Sequence, residues 1–153
     1  MKFTLMAVVL VMLLPWEARG RSLDVEEEDT EGAPEATVQK RQIWQFRKMI
    51  KCATGRSAWD YNRYGNWCGR GGSGTPVDGV DRCCRAHDLC WGEVKHCHPF
   101  SNLYRYRISG KYPSCSITCN AGKNDSCEQS ICNCDKAAAE CFARNTYNPN
   151  NKH

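Results

Sequence analysis

The chain has 153 residues, 41% of them hydrophobic and 25% charged, with a net charge of +4 and twelve cysteines. That balance excludes a wholly disordered chain, and one folded domain is expected at this length. The even, high cysteine count points to a disulfide framework built in an oxidising compartment.

The first twenty residues read as a secretory signal peptide. Lys2 gives a positive start, Phe3 to Leu14 is almost wholly apolar, and Pro15 ends the run. The run is too short to span a bilayer. Residues 21–41 differ sharply. Asp24, Glu26, Glu27, Glu28, Asp29, Glu31 and Glu35 fall there, without a cysteine or an aromatic. Such a stretch cannot bury enough apolar surface to fold alone. It ends in the dibasic pair Lys40-Arg41, so it reads as an acidic propeptide. The remaining domain, 42–153, holds all twelve cysteines. It has 16 Lys plus Arg against 9 Asp plus Glu, a net charge of +7. That excess suits an anionic partner such as a membrane surface. No nucleic-acid-reading motif is present, so no nucleic acid is expected.

Gln42 to Cys52 predicts a short amphipathic helix, with Ile43, Phe46 and Ile50 at helical spacing and Trp44 and Met49 beside them. Arg47, Lys48 and Lys51 take the other side. Such a helix can pack on a core or lie at a lipid interface, with Ile43, Trp44, Arg47 and Lys48 as the candidate contacts. Residues 53–63 read as loop with a helical turn.

A glycine-rich loop follows, with Gly65, Gly69, Gly71, Gly72 and Gly74 within ten residues. Glycine lets a backbone turn tightly and aim its carbonyls inward. Facing an Asp, such a loop can wrap a hard cation such as calcium, which takes six to eight oxygens. Thr75-Pro76 leads into a second helix over about 78–97, carrying Cys83, Cys84, His87, Asp88 and Cys90. His87 places a titratable base beside the candidate metal ligand Asp88.

Residues 98–114 predict a two-stranded wing, with Tyr104, Tyr106, Ile108 and Tyr112 around a Ser109-Gly110 turn. Residues 126–145 predict a third helix, with a helix-favouring Ala137-Ala138-Ala139 run. Cys83 and Cys90 are seven apart on the second helix, and Cys134 and Cys141 are seven apart on the third. Seven residues span about 10.5 Å on either helix. Antiparallel packing would therefore allow two compatible staples, Cys83 to Cys141 and Cys90 to Cys134. Those staples would bring Asp135 to His87, the arrangement of an orienting carboxylate and a base. The tail from Thr146 to His153 reads as polar coil.

Taken together, WQFRKMIKC, YGNWCG, GGSGTPVD, DRCCRAHD and ICNCD resemble secreted phospholipase A2 of the pancreatic and venom type, from Gln42 to about Asn148. The resemblance implies a mainly α, disulfide-rich fold. Two long antiparallel helices would be joined by an N-terminal helix, a calcium loop and a small β-wing. It implies one calcium ion held by the carbonyls of Trp67, Gly69 and Gly71 and the carboxylate of Asp88. It puts the catalytic base at His87, the orienting Asp at Asp135 and an oxyanion donor at the Gly69 amide. It adds four bridges, Cys52–Cys115, Cys68–Cys84, Cys97–Cys127 and Cys119–Cys132. It implies a secreted monomer that hydrolyses the sn-2 ester of phospholipids at a membrane or micelle surface. A rival reading is a non-catalytic relative acting as a toxin or receptor ligand.

The chain departs from that pattern at several places. Asn66 stands where the pancreatic type has a cysteine. Trp91 replaces a tyrosine whose hydroxyl bonds the orienting Asp, and its indole N–H is a donor that could serve instead. Tyr112 is the candidate for a second tyrosine on that Asp. The segments between Cys90 and Cys97 and between Cys115 and Cys119 are short, so the wing should differ in shape.

Overall fold

The computed structural model describes residues 35–153, and the side chains from Gln42 onward. The expected signal peptide and most of the expected propeptide lie outside the described residues. The elements in order are α1 (Glu35–Thr54), α2 (Ala58–Tyr61), α3 (Gly79–Glu93), β1 (Tyr106–Ser109), β2 (Ser116–Cys119) and α4 (Ser126–Ala143). Two 3₁₀ turns, Lys95–Cys97 and Pro149–Asn151, complete them. The architecture is mainly helical, with one two-stranded sheet and six disulfides, as the phospholipase resemblance implied.

Helix α1 starts earlier than the sequence pattern predicts, running unbroken across the Arg41–Gln42 junction. Its buried residues are Gln42, Gln45, Met49, Ile50 and Cys52. Positions 42, 45, 49 and 52 recur at three and four, so they form one stripe facing the core. Two members of that stripe are glutamines, which a search for apolar periodicity passes over. Ile43 and Trp44 lie off the stripe and are about half exposed, at 47% and 52%.

Helix α3 is capped by Asp78, whose carboxylate accepts the Asp81 amide at 2.9 Å. Helix α4 opens with a reciprocal capping box between Asp125 and Glu128. Caps of this kind are worth about 1 kcal/mol each. The prediction carried the second helix to residue 97. The α-helix instead ends at Glu93, and Val94 hands over to the 3₁₀ turn. His98 then takes a left-handed conformation, φ 53°, which turns the chain away from the helix axis.

The six bridges are the pairs set out above. Cys83–Cys141 and Cys90–Cys134 staple α3 to α4, with Cα separations of 5.7 and 5.8 Å. Two bonds seven residues apart on both helices fix their antiparallel direction and their register. Cys52–Cys115, Cys68–Cys84, Cys97–Cys127 and Cys119–Cys132 tie the remaining segments to that pair. Loops of this length give about 3 to 4 kcal/mol per bridge in a chain-entropy account. Between the helices lie Met49, Ile50, Tyr61, Tyr64, Val80, Ile131, Ala139 and Phe142.

The wing differs from expectation. β1 pairs antiparallel with β2, with Tyr106 opposite Cys119 and Ser109 opposite Ser116. The return strand therefore begins after Cys115, and residues 110–115 form the turn. Pro113 cannot donate to a ladder, and Gly110 sits at φ 80°, so both belong in that turn. The tail is not free coil either. The Gly65 amide donates to the Asn151 carbonyl at 2.7 Å, and Lys152 bridges back to Tyr64. Tyr147 packs edge-on against Tyr61 and beside Tyr64. Polar side chains hold this segment, with Asn151 donating to Asp78 at 2.8 Å and Lys152 to the carbonyls at the end of α2.

Candidate active site

The double staple puts His87 of α3 against Asp135 of α4. His87 Nε2 lies 2.6 Å from Asp135 Oδ1. The carboxylate accepts, so in the neutral ring Nε2 carries the proton and Nδ1 is left as the acceptor. The imidazole stacks on Phe46 of α1, centroid to centroid 4.5 Å and 18° between planes. Trp91, one turn further along α3, packs on it at 4.7 Å. The ring is thus clamped, with 10% of the side chain exposed.

Asp135 is completely buried. A buried carboxylate is costly unless its lone pairs are met. Here four donors meet them. Oδ1 takes His87 and the Trp91 indole N–H at 3.0 Å. Oδ2 takes the Tyr104 hydroxyl at 2.6 Å and the Gln42 amide at 3.2 Å. A carboxylate offers about four such positions, so this one is saturated.

The tyrosine on Asp135 is therefore Tyr104 and not Tyr112. Tyr112 lies in the wing turn, 59% exposed, with its ring over Gly55. The turn before Cys115 carries Tyr112 out into the wing, away from Asp135. Tyr104 precedes β1, where α1 and α4 bury it.

Asp88 follows His87 on α3. It is half-buried, and among the described residues no hydrogen bond or ion pair reaches its carboxylate. Burial pushes its carboxyl above the ordinary value of 3.8, against the opposing influence of His87. A carboxylate held out of water without a partner is a ready cation ligand.

The glycine loop is anchored by a residue that pattern reading passed over. Asp81 is fully buried. Its Oδ1 accepts the Trp67 amide at 2.8 Å, and its Oδ2 accepts the Asn66 and Val77 amides at 2.9 Å each. One carboxylate therefore ties both ends of the loop. Gly65 makes room for it, since a Cβ there would stand 2.4 Å from Asp81 Cγ. Within the loop the Trp67 indole donates to the Gly74 carbonyl at 2.9 Å, and Asn66 to the Thr75 carbonyl at 2.7 Å. A Cβ on Gly72 would meet the Trp67 backbone at 2.7 Å, so the loop folds tightly upon itself. Gly69 and Gly71 take positive φ, 140° and 81°.

The donors that the resemblance assigns to calcium, the main-chain carbonyls of Trp67, Gly69 and Gly71 and the carboxylate of Asp88, are hard oxygens throughout, the kind that ion takes. Zinc at the other cysteine–histidine group, His96 with Cys97 and Cys127, is excluded because those two sulfurs are bonded to each other. A cavity of about 550 Å³ borders the loop at Arg63, Arg70 and His153, but neither His87 nor Asp88 lines it.

Of the candidate interface residues, Ile43 and Trp44 are exposed, and Arg47 and Lys48 are partly so. The Arg47 guanidinium lies 4.2 Å from the Trp44 ring and 4.6 Å from that of Trp59. Trp59, 58% exposed on α2, joins this patch. It was absent from the predicted set because nothing in sequence spacing links it to α1.

Comparison with known proteins points to one family. Residues 43–152 match the family model described as Phospholipase A2. The chain is 59% identical over 133 residues to the Urticina crassicornis protein named phospholipase A2 A2-actitoxin-Ucs2a, covering 85% of each. It is 48% identical over 113 residues to acidic phospholipase A2 2 of Naja naja, covering 71% of this chain and 91% of that one. To phospholipase A2 of Bos taurus it is 43% identical over 134 residues, covering 81% and 89%.

Proposed function

The chain belongs to the phospholipase A2 family, and on that premise we propose that it is a secreted, calcium-dependent enzyme cutting the sn-2 ester of glycerophospholipids. The observation that carries the reading is the clamped His87–Asp135 pair at 2.6 Å, one residue from a half-buried carboxylate that has no partner among the described residues.

Nδ1 of His87 faces away from Asp135 and is free to take a proton from water. That water's oxygen bonds to the ester carbonyl carbon. As the ester C–O bond breaks, His87 returns the proton to the departing oxygen, giving a fatty acid and a lysophospholipid. Asp135 keeps the ring in one tautomer and steadies its charged form. The Gly69 amide is the candidate donor to the oxyanion. When bound through Trp67, Gly69, Gly71 and Asp88, calcium supplies a Lewis acid for the ester carbonyl and a partner for the phosphate. No cysteine nucleophile is available, since all twelve are bridged.

The substrate surface is a membrane or micelle, met by Ile43, Trp44 and Trp59, with Arg47 and Lys48 for headgroup phosphates. Among the described residues no helix is long and apolar enough to cross a membrane. The enzyme acts as a monomer and binds no nucleic acid. The six disulfides support an extracellular destination. The test is fatty-acid release from phosphatidylcholine vesicles, with calcium and with EDTA. Release that requires calcium and is lost in His87→Gln supports the reading. Vesicle leakage without fatty acid would favour a non-catalytic, membrane-damaging protein.

A further inference from the structure

Helix α1 presents two buried glutamines to the site. Gln45 is satisfied at both ends: its Nε2 donates to the Tyr104 carbonyl at 2.8 Å, and its Oε1 accepts the Tyr104 amide at 3.4 Å. It thereby holds the peptide of the residue whose hydroxyl reaches Asp135. Gln42, three positions earlier on the same stripe, is different. It is completely buried, its Nε2 donates to Asp135 Oδ2, and its Oε1 has no partner among the described residues.

Burying an amide with half its hydrogen-bonding capacity unmet works against folding. An apolar side chain of the same length would fill the slot without that cost. What glutamine does there, and methionine cannot, is donate to Asp135. The donor lies on the oxygen that His87 does not use. A carboxylate tethered at one oxygen can swing about its Cβ–Cγ bond, whereas tethers on both oxygens fix its plane. Tyr104 and Gln42 together hold Oδ2, which keeps Oδ1 on His87.

We infer that Gln42 is a positioning residue for the His87–Asp135 pair, acting on turnover through the second oxygen of Asp135. The inference rests on the reading of His87 as the base. It extends the site onto the first helix, at the residue directly after Lys40-Arg41.

The test compares Gln42→Met and Gln42→Asn with the unaltered chain. Methionine keeps the length without a donor, and asparagine keeps the amide but falls short of Asp135. Both should lower kcat on phosphatidylcholine vesicles by about 3- to 10-fold, the scale of one ordinary hydrogen bond, as suits a contact of 3.2 Å. KM for vesicles and calcium affinity should be unchanged, and Gln42→Met should melt no lower than the parent. The downfield proton resonance of His87 Nε2–H should shift in both variants, because its acceptor has lost a competing donor. If Gln42→Met fails to fold, Gln42→Asn is read alone. Unchanged kcat and an unmoved resonance in a folded variant would overturn the inference, while loss of activity in His87→Gln would leave the assigned base standing. A shifted resonance in a protein whose parent releases no fatty acid would support the positioning role and defeat the enzymatic reading.

Discussion

Replacing Tyr104 with phenylalanine removes one oxygen and little volume. The hydroxyl it removes is buried and donates at 2.6 Å to a carboxylate that no solvent reaches. Asp135 Oδ2 is then left with only the Gln42 amide at 3.2 Å. A hydrogen bond to a charged group contributes about 1.5–3 kcal/mol, and a buried acceptor left short of a donor stays at the upper end. For a domain of this size that corresponds to a fall in Tm of roughly 5–12 °C. Turnover should also fall, by about tenfold, as the orienting carboxylate loosens. Tyr112→Phe is the control: the ring is exposed in the wing turn, so its stability should change by less than about 0.5 kcal/mol. Calorimetry on both variants, with vesicle hydrolysis alongside, decides the matter. Equal effects of the two changes, or none from Tyr104→Phe, would refute the account of how Asp135 is held.

Four further outcomes are expected. His87→Gln should abolish turnover yet leave calcium binding intact by calorimetric titration, since the loop and Asp88 are untouched. Asp81→Asn should weaken calcium binding more than tenfold while the His87–Asp135 pair persists by NMR, because both ends of the loop lose a charged anchor. The pH dependence of the calcium-free protein follows from Asp88. Its folded carboxyl binds a proton more readily than the ordinary value of 3.8 would allow, so folding is favoured as pH falls through the raised value. That gain is complete below 3.8 and absent at neutral pH, and Asp88→Asn should remove this part of the Tm–pH curve. Protein trimmed after Arg41 should hydrolyse aggregated lipid faster than the untrimmed chain; equal rates would mean that the upstream segment does not regulate it.

The parts of the site legible in the sequence are those written in spacing. Two cysteine pairs at seven residues set the α3–α4 register, and with it the meeting of His87 and Asp135. The glycine run marks the loop because glycine takes its positive φ angles without steric cost. Other parts depend on contacts that no periodicity records. Gln42 and Gln45 share the core stripe of α1, yet apolar patterning cannot select a glutamine. Asp81 works on three backbone amides, a role invisible to side-chain motifs. Tyr104 lies just before β1, where no motif or spacing marks it as a partner of Asp135. The tail looked unstructured because polar residues hold it, through hydrogen bonds to Tyr64, Asp78 and the end of α2.

The most direct measurement uses phosphatidylcholine carrying different acyl chains at its two positions, with the released fatty acid identified by mass. The account predicts release of the sn-2 chain alone, in calcium, and none in EDTA or from His87→Gln. Release of the sn-1 chain, or sn-2 release that persists without calcium, would contradict it.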